Sequence, residues 1–371
     1  MKGGFRRYAP ALRIFVWSRL GIWALALAAF LSFEGRLNPE RIRWDTDRLH
    51  ELGAVFDVWA RWDSDWYLKI AEEGYSWPSG TPAFFPLYPA ITAAVGRVFA
   101  GSYLLAGLLV SLAFAATAFV LLYRLALPCL GEHGARRAVL YLALFPTSLF
   151  LGAVYGESLF LTLALASFVL AERERFCWAG GLGGLAILTR PAGVALLLAL
   201  AAFAWRSSNR RHALAGVAIA PLLFLAYPLA LWITVGHPFA FLDAQDIVWG
   251  RELSPLGPVG GVVAALQDVT ARNLLDLLAA VAIVAAGIAA WRRLGVPYGL
   301  YALASALVPL SAPSERFALW SMQRFALVVF PLFLVLAHAG RRRALHLVVV
   351  TVFAAWLAID VLRWALWYWV A

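Results

Sequence analysis

The chain has 371 residues, 63% of them hydrophobic and 14% charged, with a mean hydropathy of +0.78. A soluble domain is roughly 45–50% apolar and about 25% charged, and one core cannot bury the excess, so a soluble enzyme, a disordered chain and a small disulfide scaffold are excluded. A polytopic all-α membrane protein remains, and the net charge of +10 raises a question of topology before it suggests nucleic acid.

The N-terminal stretch carries Lys2, Arg6, Arg7 and Arg13, and an apolar run follows at 11–33. The run is long and continuous, with no small-residue cleavage site after it, so it reads as a retained helix rather than a signal peptide. Residues 34–102 are expected to form a long first extracytoplasmic loop. Its part 34–83 is the most polar stretch of the chain and contains Arg61-Trp62-Asp63-Ser64-Asp65-Trp66-Tyr67. A short surface helix is expected at 61–73 and a second, lying in the outer interface or re-entrant, at 84–100. Further apolar runs fall at 103–127, 137–152, 157–171, 176–189, 191–205, 212–235, 273–291, 296–311, 325–340 and 344–366. A second larger extracytoplasmic loop is expected at 236–272. Counting 84–100 as interfacial keeps every basic connection on one side, as the positive-inside rule requires. The result is about 11 transmembrane helices in a single domain 1–371, N-terminus in and C-terminus out.

With this topology, seventeen cations face the cytoplasm against Glu132, Glu172 and Glu174. The other eighteen acids lie toward the outer face, which topology does not demand, so chemistry is expected there. Cys129 and Cys177 offer neither a disulfide framework nor a metal-ligand spacing. No Gly-rich phosphate loop, zinc spacing or nucleophile elbow is present, so the energy source is expected to be a substrate already in the membrane.

Asp63 and Asp65 sit among aromatic residues at headgroup depth. A carboxylate partly desolvated there suits general-base work; the competing reading is a solvated Asp capping its helix. Asp-x-Asp can also chelate Mg²⁺ or Mn²⁺. Phe84-Phe85-Pro86-Leu87-Tyr88-Pro89 makes a rigid entry to the second surface helix, which leaves Tyr88 unexplained. Glu157, in Tyr155-Gly156-Glu157-Ser158, either faces a cavity or complements its helix dipole. Arg190, in Thr189-Arg190-Pro191, and Arg324, in Ser321-Met322-Gln323-Arg324-Phe325, are cations on the face where the positive-inside rule disfavours them. Such a guanidinium suits a phosphate, or else snorkels to lipid headgroups. His237, Asp243 and Asp246 read as ordinary loop residues.

Trp62-Asp63, Tyr67, Ile70-Ala71 and Gly74-Tyr75, followed by Phe84-Phe85-Pro86-Leu87-Tyr88-Pro89, resemble the PIG-V family of mannosyltransferases. Tyr155-Gly156-Glu157-Ser158-Leu159-Phe160, Thr189-Arg190-Pro191 and Ser321-Met322-Gln323-Arg324-Phe325 extend the resemblance in order along the chain. It implies a GT-C fold with two juxtamembrane helices in the first loop, and Asp63 as the catalytic carboxylate. It also implies a polyprenyl- or dolichyl-phosphate hexose donor, most simply mannose, and an inverting transfer to a lipid- or glycan-linked acceptor. Donor phosphate contacts then fall to Arg190 and Arg324, and substrate orientation to Trp62, Asp65, Tyr67, Tyr88, Glu157 and Gln323. No metal or other cofactor is required and no nucleic acid is involved. The cell membrane is the expected location, with the site extracytoplasmic. The extra carboxylate Asp65, the more apolar setting of Thr189-Arg190-Pro191 and the compact length depart from eukaryotic members and point to a prokaryotic one. The alternatives are a transporter or flippase of a lipid-linked sugar, or a GT-C enzyme using arabinose or glucose. A transporter is disfavoured because no internal repeat is seen and the ionisable residues gather at one face.

Overall fold

The computed structural model describes residues 2–370; Met1, Ala371 and the side chains of 2–6 and 34, among them the basic Lys2 and Arg6, lie outside the described residues. Among the described residues the structure is helical throughout, with no strand and one isolated bridge between Arg251 and Ser314. The helices that position the candidate residues are α1 (Lys2–Ser32), α2 (Ser64–Glu73), α3 (Leu87–Val98), α4 (Tyr103–Leu144), α5 (Glu157–Ala171), α6 (Ala271–Arg293), α7 (Val296–Leu310), α8 (Met322–Val328), α9 (Phe330–Ala339) and α10 (Arg343–Ala365).

Five helical stretches among the described residues are long and apolar enough to cross a membrane, or six if the bent pair α8–α9 counts as one. Most remaining runs form shorter apolar helices of 10–17 residues, so the eleven expected crossings are not all of full length. The chain is a multi-pass membrane protein of helical class. Helices at Ser64–Glu73 and Leu87–Val98 stand where the surface helices were expected, each a few residues shorter.

Two compact units are interleaved along the chain. The first comprises Met1–Gly74, Tyr88–Thr162 and Leu336–Val370; the second comprises Tyr75–Leu87 and Leu163–Val335. In the first, α1 packs against α4 and α10. Helix α4 is broken at Gly131, whose φ of 68° and ψ of 179° are not helical. Glycine takes that conformation without steric cost, and the chain reverses there. Val154 consequently packs against Gly107, and the Thr162 hydroxyl donates to the Phe114 carbonyl at 2.6 Å. The two runs 103–127 and 137–152 are thus the two arms of α4. The second arm stops at Leu144 rather than 152, because Pro146 drives the preceding residue out of the helical region; Phe145 has ψ of 138°.

The irregular stretch after Leu144 is tied down by Arg19 from inside α1. Its guanidinium donates to the carbonyls of Ser148 (2.6 Å) and Ala143 (3.3 Å) and to Ser148 Oγ (3.2 Å). A buried cation in an apolar helix is costly unless so satisfied; here it covers the open carbonyl end of α4.

In the second unit, α6 and α7 form a hairpin whose glycines Gly287 and Gly299 lie against Leu303 and Trp291. The crossing expected at 325–340 is broken instead. Helices α8 and α9 meet at a bend of 77°. Pro331 lacks the N–H that would bond back to the preceding turn, and its ring crowds it. Thr189-Arg190-Pro191 breaks the apolar stretch as expected: one helix ends at Ile187 and a 3-10 turn opens at Pro191. A Cβ on Gly193 would stand 2.6 Å from Ile187 Cα, so this tight passage needs glycine.

Candidate active site

Apart from Asp65, the candidate catalytic and binding residues read from the sequence fall into two clusters, one within each unit. The first is built around Asp63. It occupies the N-cap position of α2, but its carboxylate makes no capping bond and it is only 6% exposed. The solvated-cap reading therefore does not describe it. Trp62, just before it, has a φ of 54°, a region where a bulky side chain is strained. Its ring packs edge-on against Trp367 at 5.7 Å and Trp369 at 5.1 Å, and near Trp44 at 6.1 Å. Its buried indole N–H has no hydrogen-bond partner among the described residues, which leaves a donor for an incoming hydroxyl.

Tyr155 holds this strained turn. Its hydroxyl donates to the Arg61 carbonyl at 3.1 Å and accepts from the Asp63 N–H at 3.1 Å. One oxygen thus bridges the residues on either side of Trp62. The Tyr155 ring is held in turn by Phe150 at 4.9 Å, Trp364 at 5.7 Å and Tyr67 at 6.0 Å. Trp364 donates its indole N–H to the Val58 carbonyl at 2.7 Å, fixing the approach to Asp63. Arg61 is 2% exposed and lies over the Trp367 ring at 4.3 Å. Burial pushes its guanidinium down to about 10, so it is still charged at neutral pH.

Tyr67 and Tyr88 meet edge-on at 5.0 Å. Tyr88 is fully buried; its hydroxyl donates to the Gly107 carbonyl at 3.0 Å and lies 2.9 Å from Ser111 Oγ, tying α3 to α4. Burial raises its phenol well above the usual range, with the negative charge of Glu157 adding to the effect. Glu157, 1% exposed, opens α5 beside this tyrosine pair. Asp63, Trp62, Tyr67, Tyr88 and Glu157 therefore do come together. Asp65 is drawn elsewhere: it accepts from the Thr46 hydroxyl at 2.6 Å and from Arg48 at 3.1 Å. Arg48 also holds Glu72 at 2.9 Å and Glu73 at 2.5 Å. That network braces the loop.

The second cluster gathers guanidiniums. Arg190, 7% exposed, lies in extended backbone at the head of the 3-10 turn, 5.5 Å from the Phe325 ring centroid. Arg324, 8% exposed, is carried by α8, which starts from a left-handed Ser321 (φ 72°). Arg251 also reaches the Phe325 ring, at 5.5 Å, and donates to the Trp320 carbonyl at 2.6 Å. Gln323 donates its backbone N–H at 3.3 Å and its side-chain amide at 3.4 Å to Asp276 Oδ1. Arg190, Gln323 and Arg324 thus belong to one neighbourhood through Phe325 and α8.

Arg251 and Asp276 were not singled out from the sequence. Arg251 lies in a polar loop among other charges and gives no signal. Asp276 is fully buried on a membrane-length helix. The cost of a carboxylate there was the signal that could have found it.

Residues 50–207 match the family model described as Mannosyltransferase (PIG-V). The PIG-V match takes in Asp63, Tyr88, Tyr155, Glu157 and Arg190, and leaves Gln323 and Arg324 outside it. Two curated relatives are similar over shorter stretches. The chain is 36% identical over 135 residues to GPI alpha-1,6-mannosyltransferase 2 of Mus musculus, and 35% identical over 139 residues to the Rattus norvegicus protein of that name. Each alignment covers 33% of this chain and 27% of the relative, so the chain matches about a quarter of their length. Crystal structures of an Archaeoglobus fulgidus oligosaccharyltransferase, one with zinc and sulfate and one in the apo form, align over 96% and 95% of this chain and 53% and 56% of theirs. Identity is 13% and 16% and the TM-score is 0.45 for both, too low for a shared fold to be argued from it.

Proposed function

We propose that this PIG-V-type chain is an inverting glycosyltransferase of GT-C type. It moves mannose from a polyprenyl-phosphate donor to a hydroxyl of a lipid- or glycan-linked acceptor, at the extracytoplasmic face of the cell membrane. The observation that carries the reading is Asp63, a carboxylate withdrawn from water on a backbone held by Tyr155, within the segment that matches the mannosyltransferase family.

The reaction balances without a cofactor. The acceptor oxygen attacks the anomeric carbon as Asp63 takes its proton. The bond from that carbon to the donor's phosphate oxygen breaks, and the electron pair leaves with the lipid phosphate. Because attack and departure are on opposite sides, the anomeric configuration inverts. A phosphate is a competent leaving group whose growing negative charge needs cations more than protons; Arg190 and Arg324 are assigned to it. Trp62, Tyr67, Tyr88 and Glu157 are assigned to orienting substrate beside Asp63, and Gln323 beside Arg324.

The test is transfer of labelled mannose from synthetic polyprenyl-phosphate mannose by the purified protein, with arabinose and glucose donors alongside. Asp63→Asn is expected to lose on the order of 10²–10⁴ in rate while its thermal unfolding stays near wild type. Turnover at the wild-type rate by that variant would remove Asp63 as the base. Absence of any glycosylated product with every donor would favour a flippase.

A further inference from the structure

One cavity of the first unit lies away from the Asp63 cluster. It sits between α1 and α4 and has a volume of about 420 Å³. Arg7, Arg13 and Arg136 line it, with Glu132, Tyr123 and Leu127. Arg136 is ion-paired to Glu132, whereas Arg7 and Arg13 have no carboxylate partner among the described residues. Three guanidiniums against one carboxylate leave two positive charges in the cavity.

Its depth follows from helix geometry. At about 1.5 Å per residue, Leu127 lies roughly 36 Å along α4 from Tyr103, and Arg13 roughly 29 Å along α1 from Ser32. The hydrocarbon core is about 30 Å thick, so on both helices the cavity falls at headgroup depth, opposite the end that carries Asp63. The same end holds Arg137, which donates to the Ala337 carbonyl at 3.0 Å, and the run Arg341-Arg342-Arg343. A basic pocket between membrane helices at this depth suits a lipid headgroup.

We propose that this cavity binds the phosphate-bearing headgroup of an anionic membrane lipid. Two net positive charges meet the phosphodiester, and planar guanidiniums grip its oxygens in pairs. Tyr123 and Leu127 supply a wall for the glycerol and the first methylenes. The site lies a bilayer's thickness from the proposed chemistry and is independent of it.

The experiment uses the purified full chain with phosphatidylglycerol, phosphatidylcholine or inorganic phosphate, reading bound lipid by native mass spectrometry and affinity by titration. Phosphatidylglycerol is expected to be retained in clear preference to phosphatidylcholine. Each guanidinium removed, in Arg7→Gln and Arg13→Gln, is expected to weaken its binding about fivefold. Arg341→Gln, on the same end but not lining the cavity, is expected to leave it unchanged. If either variant does not fold, Arg136→Gln supplies the same reading. Equal retention of both lipids, unchanged affinity in the cavity variants, or an equal loss in Arg341→Gln would overturn the proposal. Inorganic phosphate displacing the lipid at equal concentration would show a phosphate site with no lipid contribution and would overturn it too.

Discussion

Tyr155→Phe isolates one oxygen atom. The aromatic contacts to Phe150, Trp364 and Tyr67 survive the change, so packing is preserved. Two hydrogen bonds of 3.1 Å are lost, one to the Arg61 carbonyl and one from the Asp63 N–H. A neutral intramolecular bond is worth about 0.5–1.5 kcal/mol net, giving roughly 1–3 kcal/mol for the pair. This is comparable to the ~1–3 kcal/mol of strain that a residue in a rare backbone region stores, which is the case of Trp62 at φ 54°. Without the bridge, that strain is free to relax by moving Asp63 from its place. At about 1.4 kcal/mol per factor of ten, kcat should fall roughly 5- to 150-fold. KM for donor and acceptor should change little, because no substrate contact has been deleted. The assay is steady-state mannose transfer with a parallel thermal unfolding curve in detergent. A folded Tyr155→Phe protein with the wild-type kcat would refute the bridging role; a parallel rise in KM would show that the hydroxyl touches substrate instead.

Three further outcomes are expected. Arg190→Ala and Arg324→Ala should each raise the donor KM or lower kcat at least tenfold, since charge-assisted bonds are worth about 1.5–3 kcal/mol; near-normal kinetics in both would reject the phosphate role. Asp276→Asn retains an acceptor for Gln323 and should keep most activity, whereas Asp276→Leu should lose the anchoring of α8 and weaken donor binding, measured by titration. Asp65→Asn should leave transfer within about twofold and unfolding within ~1 kcal/mol, because partly exposed ion pairs contribute little and Arg48 keeps Glu72 and Glu73. A loss as deep as that of Asp63→Asn would return Asp65 to the substrate.

The membrane class and the positions of most helices were legible in the sequence, which also pointed to Asp63, Glu157 and Arg190, three charges that the structure buries. They rest on local physics: apolar runs of membrane length, prolines that end helices, and charges set where desolvation is costly. The break at Thr189-Arg190-Pro191 needed only Pro191 and Gly193 to be foreseen. Pro331 and Gly131 carried equally local signals, yet the 77° bend between α8 and α9 and the reversal within α4 depend on which neighbours receive the freed groups. Arg19 shows the limit more sharply. In sequence it is one charge inside an apolar helix; in space it closes the carbonyl end of a helix more than a hundred residues away. The Tyr155 bridge is of the same kind, joining residues 92 and 94 positions apart. Periodicity and burial cost are properties of a segment and can be read from it, whereas the partner that satisfies a buried polar atom is set by packing between distant segments. The sequence alone therefore determined that this is a helical membrane protein and where its costly charges fall. Only the tertiary structure decided that Asp63 is held across a strained tryptophan, that Asp65 is committed to Arg48, and that Asp276 and Arg251 join the second cluster.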